Sequence, residues 1–214
     1  GGGGGSLAMT GAQLAAGASC TVEATVRGTA GGAHVDDVPA GAVTASTSGA
    51  SLQNLDPASA TLTISPPLTA AKTVQVVSDP HNGAANPKAT PGAVMEHSLA
   101  VENPSDGTVD AGTIVITDMV PANAALFVGD LGVTGSGPVA FTQGAPASGL
   151  AYTYGGLGST TDAVSFSVDG TNFGYVPSPD AQGVDATVTH LRVQPTGTMA
   201  AGGRFSLRYR MVVR

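Results

Sequence analysis

The sequence predicts an all-β protein built of antiparallel sandwiches, one partial and one elaborated. Three observations carry this. Short apolar–polar alternations recur, broken every eight to twelve residues or so by Gly, Pro, Asn and Asp. No stretch has a convincing helical period. Gly makes up 31 of 214 residues while only 11% are charged, yet no collagen-like repeat appears, and the Val, Ile, Leu and Thr runs between glycines argue against disorder.

In chain order, residues 7–14 form a weakly patterned extended segment containing Leu7, Met9 and Leu14. Residues 19–27 alternate, with Cys20, Val22, Ala24 and Val26 on one face and Thr21, Glu23, Thr25 and Arg27 on the other. A turn is expected over residues 28–33, then strands over 41–47 and 58–65, where Leu62 and Ile64 share a face. Pro66-Pro67 fixes two φ angles and removes two donors, which marks a hinge. The expected division is therefore 1–66 and 67–214.

Beyond the hinge the pattern strengthens. Strands are expected over residues 72–77, 93–102, 113–117, 125–128, 164–168, 188–193 and 205–213, with further extended segments at Phe141 and Tyr152/Tyr154. A long loop rich in Asn, Pro and Gly spans 79–91. In 93–102, Met95, His97, Leu99 and Val101 oppose Val94, Glu96, Ser98 and Ala100.

The first region holds too few strands to bury both faces of its ladder. Something must complete it: the following domain, residues upstream, or a strand from another copy. Residues 1–5 are all glycine, readable as an added linker, a natural loop or a trimmed end. Cys20 is the only cysteine, so it makes no internal disulfide. It is either a small buried hydrophobe or a half-cystine whose partner lies elsewhere.

The formal net charge is −7, against the basic footprint that nucleic acid requires. Arg192, Arg204, Arg208, Arg210 and Arg214 crowd the end of the sequence, as a solvated strand face or a basic edge that meets an acidic neighbour. No apolar run is long enough for a membrane span, and residues 1–6 have no signal-peptide character.

Catalytic motifs are missing. There is no Gly-x-Ser-x-Gly elbow, no phosphate-binding loop and no His-Glu-x-x-His, and no enzyme activity or cofactor is expected. His34, His81, His97 and His190 are far apart in sequence. Calcium is the metal the composition could serve, through oxygen ligands such as Asp79, Asn82, Asp169, Asp180 and Asp185. The same residues are also ordinary Asx-turn formers. Tyr152, Tyr154, Phe173 and Tyr175 cluster, but with no Trp a core role is the default.

Two stretches resemble known families. Glu96-His-Ser-Leu-Ala-Val-Glu-Asn103, a turn, then Thr113-Ile-Val-Ile-Thr-Asp118-Met-Val-Pro121-Ala122 is similar to the conserved-repeat domains of bacterial surface proteins. His97 stands near the position of that pattern's aromatic. The resemblance implies an Ig-like sandwich of unassigned molecular function. Leu14-x-x-Gly17-x-x-Cys20-Thr-Val22-x-x-x-Val26, with Pro57-Ala-Ser-Ala-Thr-Leu-Thr-Ile64, resembles the C-terminal half of a related surface-repeat domain. There the cysteine usually pairs with one upstream.

The expected role is a non-enzymatic structural subunit of an extracellular bacterial fibre or surface stalk. Copies would assemble head to tail by strand complementation involving Leu7, Met9, Leu14, Cys20, Val22 and Val26. The alternative is an adhesion or glycan-binding surface module.

Overall fold

The computed structural model describes residues 9–26 and 31–214. The chain forms two compact units, Gly1–Ala30 and Gly31–Arg214. Residues 9–26 contain no strand and are exposed throughout. The alternation at Cys20, Val22, Ala24 and Val26 therefore does not become a ladder. An extended segment needs a neighbour to take its backbone bonds, and none pairs with it among the described residues.

The second unit is all-β, with no helix among the described residues. It opens with a ribbon. Strand β1 (Gly32–Val38) pairs antiparallel with β4 (Ala58–Ile64), and the hairpin of β2 (Thr44–Thr47) and β3 (Ala50–Gln53) lies between them in sequence. Thus β1 begins inside the expected turn, and β2 is shorter than the expected strand. The signal for β1 is weak because two aspartates and a histidine break the apolar alternation. Gly49 closes the β2–β3 turn with φ of 109°, a conformation open chiefly to glycine. Pro66 and Pro67 lie between β4 and the next strand, inside the second unit.

Two sheets follow. The larger orders β11 (Val184–Asp185), β8 (Ala124–Phe127), β13 (Arg204–Val213), β6 (Val94–Glu102) and β5 (Thr69–Ser78), with β9 (Ala140–Gln143) also on β13. The smaller orders β10 (Val164–Ser167), β12 (His190–Val193) and β7 (Ile116–Met119). All pairings are antiparallel. This fits the expected sandwich architecture. The predicted strand 113–117 starts later, at Ile116, where its pairing with Val193 of β12 begins, although Ile114 is buried in the core and Val115 points out.

The core is built from inward-facing residues of both sheets: Leu126 from β8, Phe166 from β10, Leu191 and Val193 from β12, and Phe205, Leu207 and Met211 from β13. Each such side chain contributes about 1.5–3 kcal/mol on burial. Val101 of β6 is buried in this core, with Met95 and Leu99 packed against it, as the alternation predicts. Asn103, fully buried, ends β6. Its Nδ2 donates to the Gly107 and Ala200 carbonyls at 2.8 and 3.0 Å, and its Oδ1 accepts from Ser105 N at 3.1 Å. One side chain thereby ties two turns together.

Candidate functional site

Three places combine exposure, charge or unsatisfied groups. The first is the ribbon. In the β1–β4 register, Val38 faces Ala58, Asp36 faces Ala60, His34 faces Leu62 and Gly32 faces Ile64. The pleat puts these eight residues on one face, so Val38, Ala58, Ala60, Leu62 and Ile64 make it largely apolar. No residue of the four ribbon strands is buried, and Leu62 is half exposed. Order comes instead from polar links. Asn54 accepts from Val43 N through Oδ1 at 2.9 Å and donates through Nδ2 to the Pro39 and Asp56 carbonyls, each at 2.9 Å. These bonds stitch β1–β4 to β2–β3.

The second place is the open side of the sandwich, where β5 and β7 each end a sheet. Lys72 of β5 reaches across to Asp118 of β7, its Nζ 2.6 and 2.7 Å from the two carboxylate oxygens. The Tyr209 hydroxyl of β13 donates to the same carboxylate at 2.5 Å. Burial, then this bond, pushes the Tyr209 hydroxyl well above its ordinary range and keeps it a donor. His97 of β6 stacks on Tyr209 at 5.3 Å. Thus His97 fills a ring-packing position. Neither of its ring nitrogens has a hydrogen-bond partner. Burial, then the Lys72 charge, lowers its pKa from the usual histidine value. The group clasps the two sheets together on their open side.

The ten-residue edge of β5 beside this clasp pairs with no strand among the described residues. It contains no proline, and its only lysine is turned to Asp118. Edge strands are usually blunted by such residues.

The third place is a cleft on the outer face of β10 and β12. It is lined in part by Thr160, Asp162, Ser165, Phe173, Arg192 and Gln194, and encloses about 550 Å³ counting its open mouth. Ser165 and Arg192 are opposed in the β10–β12 register. Arg192 Nε donates to Ser165 Oγ at 3.1 Å, and the guanidinium lies 4.0 Å over the Phe173 ring.

The proposed calcium ligands are spread over several turns, and their carboxylates are already engaged. Asp79 accepts from Asn82 Nδ2 and from the amides of His81, Asn82 and Lys88. The Asn82 bonds lead in holding its carboxyl far below the usual range. Asp169 does the same with Asn172 and Thr171. Asp180 accepts from Gln182 N and Val184 N, and Asp185 from Tyr175 OH, Ser178 N and Thr187 N. Among the described residues no three His, Cys, Asp or Glu side chains gather as a metal set would require.

Of the assembly residues, Met9, Leu14, Cys20, Val22 and Val26 are exposed, whereas Leu7 lies outside the described residues. Cys20 is therefore not the buried hydrophobe of one sequence reading. Three of the five C-terminal arginines meet acids of their own sheet: Arg204 bonds Glu102 at 2.6 Å, while Arg208 and Arg210 flank Glu96 at 3.6 and 3.0 Å. The aromatic group divides: Tyr152 stacks on Phe141, while Phe173, beneath Arg192, and Tyr175, bonded to Asp185, both line the cleft.

Sequence reading missed the clasp and the cleft because their members are far apart in the chain. The available signal was Lys72 standing between Ala70, Val74 and Val76 in the same phase of β5, where an acidic partner would suit it. Among the described residues no helix is long and apolar enough to cross a membrane. No family model, curated protein or solved structure matches the chain.

Proposed function

We propose that the protein is a non-enzymatic structural subunit of an extracellular bacterial fibre or surface stalk, whose copies associate by strand complementation. The observation that carries this reading is the ribbon. It has formed strands, a largely apolar face contributed mainly by β4 and no buried residue. Two-stranded ribbons without a packed face are marginal in water, and a partner strand or sheet supplies what is missing. The free edge of β5 adds main-chain donors and acceptors for strand addition. The resemblance to surface-repeat domains supports the location.

The favoured donor is the stretch of residues 7–14, with exposed Met9 and Leu14. A contact between unlike surfaces that does not close on itself propagates into a filament. The test is sedimentation velocity with electron microscopy of the full chain and of a chain lacking residues 1–14. Concentration-dependent polymers from the full chain, lost on deletion, are expected. Polymers that persist unchanged after deletion eliminate residues 7–14 as donor. A full chain that stays monomeric at high concentration eliminates self-assembly.

A further inference from the structure

We infer that the cleft between Arg192, Ser165 and Gln194 binds a small carboxylate-bearing, polyhydroxylated ligand, the chemistry of a uronic acid. The inference is independent of assembly, since a monomer would carry the same cleft. It begins with the guanidinium. Arg192 is fixed at three points: its backbone in the centre of the β10–β12–β7 sheet, its Nε on Ser165 Oγ, and its flat face on Phe173. Among the described residues its two terminal amino groups have neither an ion-pair partner nor a hydrogen-bond acceptor.

Four other cations contrast with it, whereas Lys88, bonded to Asn86 Oδ1, and Arg214 also lack a carboxylate partner among the described residues. Lys72, Arg204, Arg208 and Arg210 are each paired with a carboxylate of this chain. Arg192 is ordered as they are but left unneutralised, and it faces a concavity. A preorganised guanidinium fork matches a carboxylate by two parallel hydrogen bonds. Such a fork loses little rotamer freedom on binding because its side chain is already held.

The rest of the lining selects hydroxyls. Thr160, Ser165 and Gln194 supply neutral donors and acceptors. Asp162 takes Gly155 N at 2.8 Å and Val164 N at 3.4 Å. Its remaining lone pairs accept from ligand O–H groups and repel a second anionic group. The enclosed part of the cleft, about 150 Å³, lies below the roughly 300–1,000 Å³ of drug-sized ligand sites, so the ligand is small and stays partly exposed. Phe173 has one face covered by Arg192, so it positions the cation rather than stacking a sugar ring.

The experiment is a titration of the full chain with glucuronate, glucose and acetate, followed by amide chemical shifts. Saturable shifts at Arg192, Gln194 and Ser165 with glucuronate are expected, with glucose and acetate each weaker by about tenfold or more, a gap of roughly 1.4 kcal/mol. Arg192→Ala and Arg192→Lys should each weaken glucuronate by about tenfold, because lysine keeps the charge but not the fork. Gln194→Ala, which leaves the guanidinium in place, should weaken glucuronate and leave acetate unchanged. Equal binding of glucose and glucuronate, full affinity in Arg192→Lys, or no saturable shift at all would each overturn the assignment.

Discussion

The ribbon of β1–β4 and the sandwich that follows it belong to one compact unit and use the same antiparallel pairing, but they are held by different physics. In the sandwich, Leu126, Phe166, Leu191, Phe205 and Met211 are removed almost completely from water. In the ribbon, Val35, Leu52, Leu55 and Leu62 stay half exposed or more. Backbone ordering costs about 1–2 kcal/mol per residue. Burial offsets that cost in the sandwich. In the ribbon only ladder bonds, each worth about 0.5–1.5 kcal/mol net, and the Asn54 links oppose it. The comparison teaches where binding free energy is still available. A second surface laid on the ribbon face recovers an apolar term that the sandwich has already used.

The comparison is most sharply tested by truncating one leucine in each region. Leu126→Ala should destabilise the chain by about 2–5 kcal/mol in denaturant unfolding, as buried leucines do. Leu62→Ala should change the stability of the isolated chain by no more than about 0.5 kcal/mol. At concentrations where copies associate, its effect should rise. Equal costs for both substitutions in dilute monomer would mean that the ribbon is packed, and the contrast drawn above would fail.

The two asparagines give a second, smaller pair. Asn103→Ala removes the bonds to the Gly107 carbonyl and Ser105 N in a buried site, while the Ala200 carbonyl keeps Gly203 N as donor. A loss of about 1–3 kcal/mol is expected. Asn54→Ala removes comparable bonds in an exposed site, where water replaces them. Hydrogen exchange should therefore quicken at Gly41, Val43 and Asn54, with the global unfolding midpoint unmoved. A shifted midpoint in Asn54→Ala would show that the ribbon and sandwich unfold as one cooperative unit.

The same contrast explains what could be read from the chain. Strands β6, β10, β12 and β13 were legible because one face of each meets a core and the alternation is imprinted by burial. The β6 phase, with Met95, Leu99 and Val101 inward, follows directly. Strands β1 and β3 were not foreseen. With no core to select them, residues such as Asp36, Asp37 and Ser51 carry no periodic trace, and pairing rests on backbone bonds. The Lys72–Asp118–Tyr209–His97 clasp was illegible for another reason. Its members come from β5, β7, β13 and β6 and meet only when two sheets stack. Arg192 and Ser165 likewise meet only through the β10–β12 register.

The smallest expected effect, from a single titrating group, is a pH dependence confined to the sandwich. His97 is buried without a hydrogen-bond partner, stacked on Tyr209, with Lys72 and Asp118 the charges that face it. Burial and then Lys72 disfavour its charged form, while Asp118 opposes them, and the balance lies below the ordinary value of 6.5. The unfolded chain therefore binds this proton more readily than the folded one. The contribution to stability is fully present above the unfolded pKa, and it falls away as pH drops from there toward the depressed folded pKa. His97→Phe keeps the stacked ring and removes the proton site. Unfolding midpoints measured from pH 8 to 5 should decline less steeply in His97→Phe than in the parent chain. In the parent, amide protection factors, corrected for the intrinsic exchange rate at each pH, should fall first along β6 and β13, with those of the ribbon unchanged. A parallel decline in both proteins would place the acid sensitivity outside the clasp.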